Sequence, residues 1–269
     1  MKFKKVYLYY YSPTGSTRTI INKIADSIDV EPINLIANCI TYPEFVESCI
    51  EPVPDDLVVI GAPVYAGRIA LTAVERLNKI NFAGNMAVLV AVYGNRDYND
   101  ALIELRELAR QAGLKPVAAA AFIGEHSYST GRDQIAHGRP DSEDKQKAIA
   151  FGRQISEVIA GLEAPPVELE VPGNLPLPER HVLPDAAPET VAKRCIKCGV
   201  CQTVCPAGAV FYKNGYHTNS KLCTLCFACV KSCKQNARVV ESPELGKIKE
   251  WLLNTTQTRR EPEVFIQQP

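Results

Sequence analysis

The 269 residues predict an α/β fold, a doubly wound sheet of five parallel strands joined to a small, cysteine-rich α+β domain. Three observations carry that expectation. Up to about residue 162, short apolar runs rich in β-branched and aromatic residues alternate with amphipathic segments, the order that places helices on both faces of a parallel sheet. Between Ala164 and Thr190 seven prolines (Pro165, Pro166, Pro172, Pro176, Pro178, Pro184 and Pro188) exclude regular structure and predict an extended spacer. Beyond it, eight of the ten cysteines stand in two runs of matching spacing. The expected division is a sheet domain over 1–162, a linker over 163–190, a cysteine domain over 191–240, and a terminal helix and tail over 241–269.

Strands are expected at 4–11, 30–36, 56–62, 86–93 and 116–123. The clearest helix is capped by Asn99 or Asp100, aligns Leu102, Leu105, Leu108, Ala109 and Ala112 on one face, and stops at Gly113. A second, over 142–162, is capped by Asp141 or Ser142, and a short one is expected over 243–253 with Leu245, Ile248 and Leu252 on one face. The apolar end of the tail, 264–266, either docks back on the protein or frays.

Composition excludes several classes of function. Lys plus Arg and Asp plus Glu number 30 each, so net charge gives no bulk attraction to nucleic acid or membrane, and no apolar run is long enough to span a bilayer. The charge is uneven, however. Between Val191 and Val240 lie eight basic residues (Lys193, Arg194, Lys197, Lys213, Lys221, Lys231, Lys234 and Arg238) and no acid, which predicts attraction to the acidic remainder of the chain or to an acidic ligand. Nucleic acid is a poor candidate, because no aromatic ladder accompanies the charge. The opening residues read as a strand rather than a leader, so a reducing cytoplasm is expected, where clustered thiols ligate metal rather than form disulfides.

Cys195, Cys198, Cys201 and Cys205-Pro206 follow the pattern C-x2-C-x2-C-x3-C-P, and Cys223, Cys226, Cys229 and Cys233 repeat it with Lys234 in place of the proline. Three cysteines at three-residue intervals wrap three corners of a cubane, and the fourth ligates the other cluster. Cluster one would then use Cys195, Cys198, Cys201 and Cys233, and cluster two Cys223, Cys226, Cys229 and Cys205. Structural zinc, the alternative, prefers two separated pairs. The runs resemble those of bacterial two-cluster ferredoxins. Cys39 and Cys49 lie outside both and read as ordinary thiols.

The first strand runs into Ser12, Pro13, Thr14, Gly15, Ser16 and Thr17 ahead of a helical stretch, gathering hydroxyls and free amides where a phosphate binds. With neither a P-loop lysine nor a dinucleotide fingerprint, the loop suits a mononucleotide. Two further loops follow the third and fourth strands, at the sheet edge where ligands collect: Pro63, Val64, Tyr65, Ala66 and Gly67 with Arg68, and Tyr93, Gly94, Asn95 and Arg96 with Tyr98. The set resembles the short-chain flavodoxins, which implies FMN, with Tyr65 and Tyr98 matching the residues that flank its isoalloxazine. Arg68 and Arg96 depart from the acidic surroundings of flavin in those carriers and point to a flavin suited to two-electron reduction. His126 is a candidate proton donor to flavin or substrate, and an ordinary loop histidine otherwise.

The whole chain resembles the flavodoxin-ferredoxin fusion proteins of anaerobic bacteria and archaea. That resemblance implies electron transfer between two [4Fe-4S] clusters and FMN, linking a one-electron redox protein (a ferredoxin or another iron-sulfur or flavin protein) to a two-electron flavin. Two other readings share the same motifs: an FMN-dependent reductase of a quinone, disulfide or cofactor fed by the clusters, and a redox sensor acting through the linker. The motifs serve an enzyme and a carrier equally, and are compatible with an oligomer.

Overall fold

Successive side chains of the first strand, β1 (Val6–Tyr10), point to opposite faces, and both sets are buried. Tyr7 and Tyr9, with Tyr11 beyond the strand, pack under α3 (Leu71–Leu77) and α4 (Ala101–Gln111), whereas Val6, Leu8 and Tyr10 pack under α1 (Ser16–Ala25) and α5 (Ser142–Gly161). A sheet buried on both faces is the signature of the doubly wound arrangement. The computed structural model describes residues 3–29, 34–131, 133–162 and 168–266.

The remaining elements are, in chain order, β2 (Leu35–Cys39), α2 (Pro43–Val46), β3 (Leu57–Tyr65), β4 (Arg68–Ile69), β5 (Met86–Tyr93), β6 (Lys115–Ile123), β7 (Glu189–Thr190), a 3-10 turn at Ala192–Arg194, α6 (Val200–Thr203), β8 (Val210–Tyr212), β9 (Tyr216–Thr218), α7 (Ala228–Lys231), β10 (Arg238–Val239), α8 (Pro243–Thr255) and β11 (Glu263–Ile266). The sheet order is β2-β1-β3-β5-β6, all parallel, with β11 antiparallel on the outer edge of β6. Counting parallel strands alone, this is the flavodoxin-like order 2-1-3-4-5, which puts the ligand-binding switch point between β1 and β3.

Two expectations are corrected, and one left open is decided. The second strand lies at Leu35–Cys39 rather than over 30–36, of which 30–33 fall outside the described residues. Its placement is set by Asn38, whose amide donates to Ile50 O (3.0 Å) and accepts from Ile50 N (3.0 Å), a side-chain clamp that apolar periodicity does not register. The third strand runs on to Tyr65 because it turns back through β4, pairing Val64 with Ile69 and Tyr65 with Arg68. The tail docks rather than frays, so the sheet gains an antiparallel edge strand in which Val264 faces Ala120 and Ile266 faces Ala118.

The helix caps follow the sequence closely. Asp141 and Asp144 form a capping box at the start of α5, and Asp100 stands at the N-cap of α4. The proline-rich stretch is irregular as expected, but it is no free spacer. Glu104 on α4 accepts both arms of Arg68 (2.9 and 2.8 Å) and also pairs with Arg180, while Arg68 donates to Pro178 O (2.7 Å), Arg106 to Leu169 O (3.1 Å) and Asn174 N to Asp100 (2.8 Å). Leu169 is buried in the core beside α4. The linker is a strap lashed along one helix.

The tail is fastened in the same way. Arg139, buried against the fully buried Asp144, also donates to Arg260 O (2.8 Å). Removing one partner of a buried pair leaves the other charge uncompensated, whereas an exposed pair is worth little. Arg139→Met is therefore expected to lower unfolding free energy by about 3 kcal/mol, read from urea denaturation. Lys147→Ala, which breaks the solvent-exposed pair with Glu261, should change it by less than about 1 kcal/mol.

Candidate functional site

The parallel strands end on one edge, and the loops that follow them enclose a cleft of about 480 Å³, within the range of small-molecule and cofactor sites. Its floor is the loop after β1. Gly15 takes a left-handed φ of 92° and starts α1; Ser12 Oγ accepts from Arg18 N (3.1 Å), and the amides of Ser16 and Thr17 are left without an acceptor among the described residues. Free amides at the positive end of a ten-residue helix form an anion cradle. Ser12, Pro13, Thr14, Ser16 and Thr17 all line the cleft, as do Pro63, Val64, Tyr65, Ala66, Gly67, Tyr93, Gly94 and Arg96.

Asn95 and Tyr98 do not. The Asn95 amide donates to Thr256 O and Thr258 O (both 2.9 Å) and accepts from Arg260 N (2.9 Å), and the Tyr98 hydroxyl donates to Glu263 (2.8 Å). Both side chains hold the tail. The aromatic residue that the cleft gains instead is Trp251 of α8, with the Arg96 guanidinium 5.6 Å from its ring centroid. Arg68 lines the cleft with its guanidinium held by Glu104, a carboxylate it shares with Arg180, whereas Arg96 is in no ion pair among the described residues and donates to Asn99. Trp251 has no signal in the sequence, because an exposed tryptophan far along the chain carries no local motif.

His126 follows β6 and reaches the cleft wall. It stands over Gly94 so closely that a Cβ there would lie 2.2 Å from the imidazole Cδ2, so only glycine admits the ring. Its Nδ1 accepts from Tyr128 N (3.0 Å), which leaves the ring proton on Nε2. Burial, with the cations Lys231, Arg96 and Lys249 adding to it, brings its pKa down to about 4. The residue is therefore a neutral hydrogen-bond donor. Next to it, burial would raise the Glu125 carboxyl, but the Lys231 ammonium (2.8 Å) and Gly138 N hold it below the usual range.

The far wall comes from the cysteine domain. Thr224 and Leu225, between Cys223 and Cys226, line the cleft together with Leu183 and Pro184 of the strap and Ile248, Trp251 and Leu252 of α8. A separate hydrophobic cluster glues these parts, uniting Tyr128 and Ile135 with Ala186, Leu225, Phe227, Leu245 and Leu252. Lys231 donates to Glu125 and to His126 O (3.0 Å) across the junction. On the opposite side Arg76 donates to Pro206 O (2.6 Å), fastening the residue after Cys205 to α3.

Within the cysteine domain the sequence repeat is a structural repeat. Left-handed residues recur at Lys197 and Leu225, at Gly199 and Phe227, and at Gly208 and Asn236, and α6 matches α7. Cys205 Sγ accepts from Ala209 N and Cys233 Sγ from Ala237 N, both at 3.2 Å. A second, small cavity is lined by Cys205 together with Cys223, Cys226 and Cys229, the set that the exchange of fourth ligands predicts. Cys195 and Cys198 neighbour Cys201. Arg238 lies buried between the halves, against Cys229 and near Cys201, and its Nε has no partner among the described residues. Cys39 and Cys49 stand apart at the β2 edge, and no three His, Cys, Asp or Glu side chains among the described residues converge on a site for a single metal ion.

Residues 188–211 match the 4Fe-4S binding domain family. The chain joins a flavodoxin-like fold to a ferredoxin-type iron-sulfur domain. An uncharacterized ferredoxin of Methanocaldococcus jannaschii is 41% identical over 69 residues, which cover 23% of this chain and 44% of the relative, so the chain spans under half the length of the curated relative it matches. Among solved structures, an archaeal flavodoxin is 15% identical with a TM-score of 0.39, covering 58% of this chain and 99% of its own. The FMN-bound flavodoxin of Fusobacterium nucleatum is 13% identical with a TM-score of 0.38, covering 58% of this chain and 98% of its own. The assignment of the fold rests on the strand order itself. Among the described residues no helix is long and apolar enough to cross a membrane.

The depressed His126 pKa has a consequence for stability. The unfolded chain takes up a proton near pH 6.5 and the folded one only near pH 4, so the folded state loses stability as pH falls through that window. Urea denaturation from pH 7 to 4 should show this slope. In His126→Asn it should be shallower by the proton that His126 no longer binds.

Proposed function

We propose that the protein transfers electrons between two [4Fe-4S] clusters and FMN inside one chain. The observation that carries this reading is the shared wall: the loop of Thr224 and Leu225, held between two cysteines of the second run, faces the same cleft as the phosphate cradle. Bound FMN accepts or returns two electrons, and iron-sulfur clusters pass them one at a time.

The residues fit both groups. The amides of Ser16 and Thr17 and the hydroxyls of Ser12 and Thr14 would hold the FMN phosphate; Tyr65, Gly67, Tyr93 and Gly94 would border its ring system. His126 would offer its Nε2 proton to a ring acceptor, and Arg96 would balance negative charge. Cys223, Cys226, Cys229 and Cys205 would hold the cluster at the cleft, and Cys195, Cys198, Cys201 and Cys233 the outer one. Arg238, buried near Cys229 and Cys201, would favour the reduced state of both. Leu183, Pro184, Trp251 and Leu252 line the cleft from the strap and α8 beside Thr224 and Leu225, and this junction with the cysteine domain favours electron entry through that domain over a diffusing small-molecule acceptor.

Anaerobically purified protein should contain about eight irons, two clusters of four, and one FMN per chain. Cys205→Ser and Cys226→Ser should disturb the same cluster, and Cys233→Ser and Cys198→Ser the other, separated by electron paramagnetic resonance with iron content. If Cys205→Ser instead matches Cys198→Ser, the exchange of ligands is wrong. If iron or flavin is absent after reconstitution, the electron-transfer reading falls.

A further inference from the structure

The two cysteine runs are copies at an offset of 28 residues, yet their surroundings differ. In the second copy, Leu225, Phe227 and Ala228 are 3%, 2% and 1% exposed, sealed against the flavin cleft and α8. The same positions in the first copy are Lys197, Gly199 and Val200, and this loop lies open, with Ile196 66% and Val200 40% exposed and Cys198 at the surface. One copy has found its covering inside the chain. Its twin presents the same ligand loop to solvent.

The surface around the open copy has a defined chemistry. The β8–β9 hairpin adjoins it, since a Cβ at Gly199 would lie 3.2 Å from Tyr216 Oη, and adds the exposed rings of Phe211 and Tyr212. Lys193, Arg194, Lys197 and Lys213, all exposed, adjoin these apolar groups along the chain, no acid occurs between Val191 and Val240, and among the described residues none of the four is in an ion pair. Of the eight basic residues in the segment, Lys231 alone pairs with the acidic remainder among the described residues. Arg238 is buried, and the other six, Lys193, Arg194, Lys197, Lys213, Lys221 and Lys234, are exposed, an electrostatic target for a negative partner.

We propose that loop 193–200 and the hairpin residues 211–213 form the docking surface for an acidic one-electron carrier protein, which exchanges electrons with the outer cluster. The surface rests on the two-cluster reading above and names the partner's side of it. In each encounter the carrier is oxidised by one electron and the outer cluster reduced by one, or the reverse, with no proton or bond transferred. The small apolar centre excludes water where the two carriers meet, and the cationic rim steers a brief encounter.

The test uses the full chain with clusters and FMN in place, reduced in a stopped-flow instrument by an acidic two-[4Fe-4S] ferredoxin, or by photoreduced deazariboflavin as a small uncharged donor. With the ferredoxin, the second-order rate constant should fall steeply as salt rises. The Lys193→Glu/Lys197→Glu variant should lower it about tenfold or more at low salt. Reduction by deazariboflavin should match the parent, and Arg153→Glu, on the exposed side of α5, should leave both rates unchanged. A rate indifferent to salt, equal slowing with both donors, or equal slowing by Arg153→Glu overturns the docking surface. Iron analysis of the parent protein separates the two readings: protein with no iron overturns the cluster reading and this surface with it, whereas iron-loaded protein with salt-independent rates overturns the surface alone.

Discussion

The Arg76 guanidinium is buried without a carboxylate partner among the described residues and is satisfied by carbonyls: Ile40 O (2.9 Å) and Thr41 O just after β2, and Pro206 O (2.6 Å) after Cys205. It also lies 5.7 Å from the Tyr11 ring centroid. A buried cation is tolerable only where such dipoles replace water, so the geometry admits little variation. Because Cys205 lines the cavity of the second cysteine run, this side chain ties that group of cysteines to the edge of the sheet that carries the free amides of Ser16 and Thr17. The Tyr128–Phe227 contact, with ring centroids 4.8 Å apart, and the Lys231–Glu125 pair close the other side.

The strap and tail serve the same end. Had 168–188 been a free spacer, donor and acceptor would meet only at an effective concentration set by its length. Instead Glu104 gathers Arg68 and Arg180, and Asp100 holds Asn174, so the cysteine domain is delivered to a defined place. The tail then crosses the loop after β5, taking up Asn95 and Tyr98, and finishes as a sheet strand on β6. Removing that strand would expose the edge of β6 and free both loop residues together.

Much of this was legible from local pattern. Both-face burial made the parallel strands read as continuous apolar runs, Asp141 announced its helix, and the spacing of cysteines grouped Cys205 with Cys223, Cys226 and Cys229, which line one cavity. What escaped was the long-range polar contact. Arg68 reads in sequence as a flavin cation, but its role is decided by Glu104, 36 residues away. Asn95 and Tyr98 belong to a tail more than 150 residues distant. Four-residue β11 is too short to show a period of its own, and Trp251 reaches the cleft only because Leu245 and Leu252 dock α8 on the junction.

On the proposed reading, flavin and clusters exchange electrons within one chain across a fixed junction. The decisive measurement is flash photoreduction of the clusters in the loaded protein, followed at flavin wavelengths over a range of protein concentrations. Transfer inside one chain gives a flavin signal that grows in with a first-order rate independent of concentration. A rate proportional to protein concentration would mean that electrons pass between separate molecules and would overturn the reading.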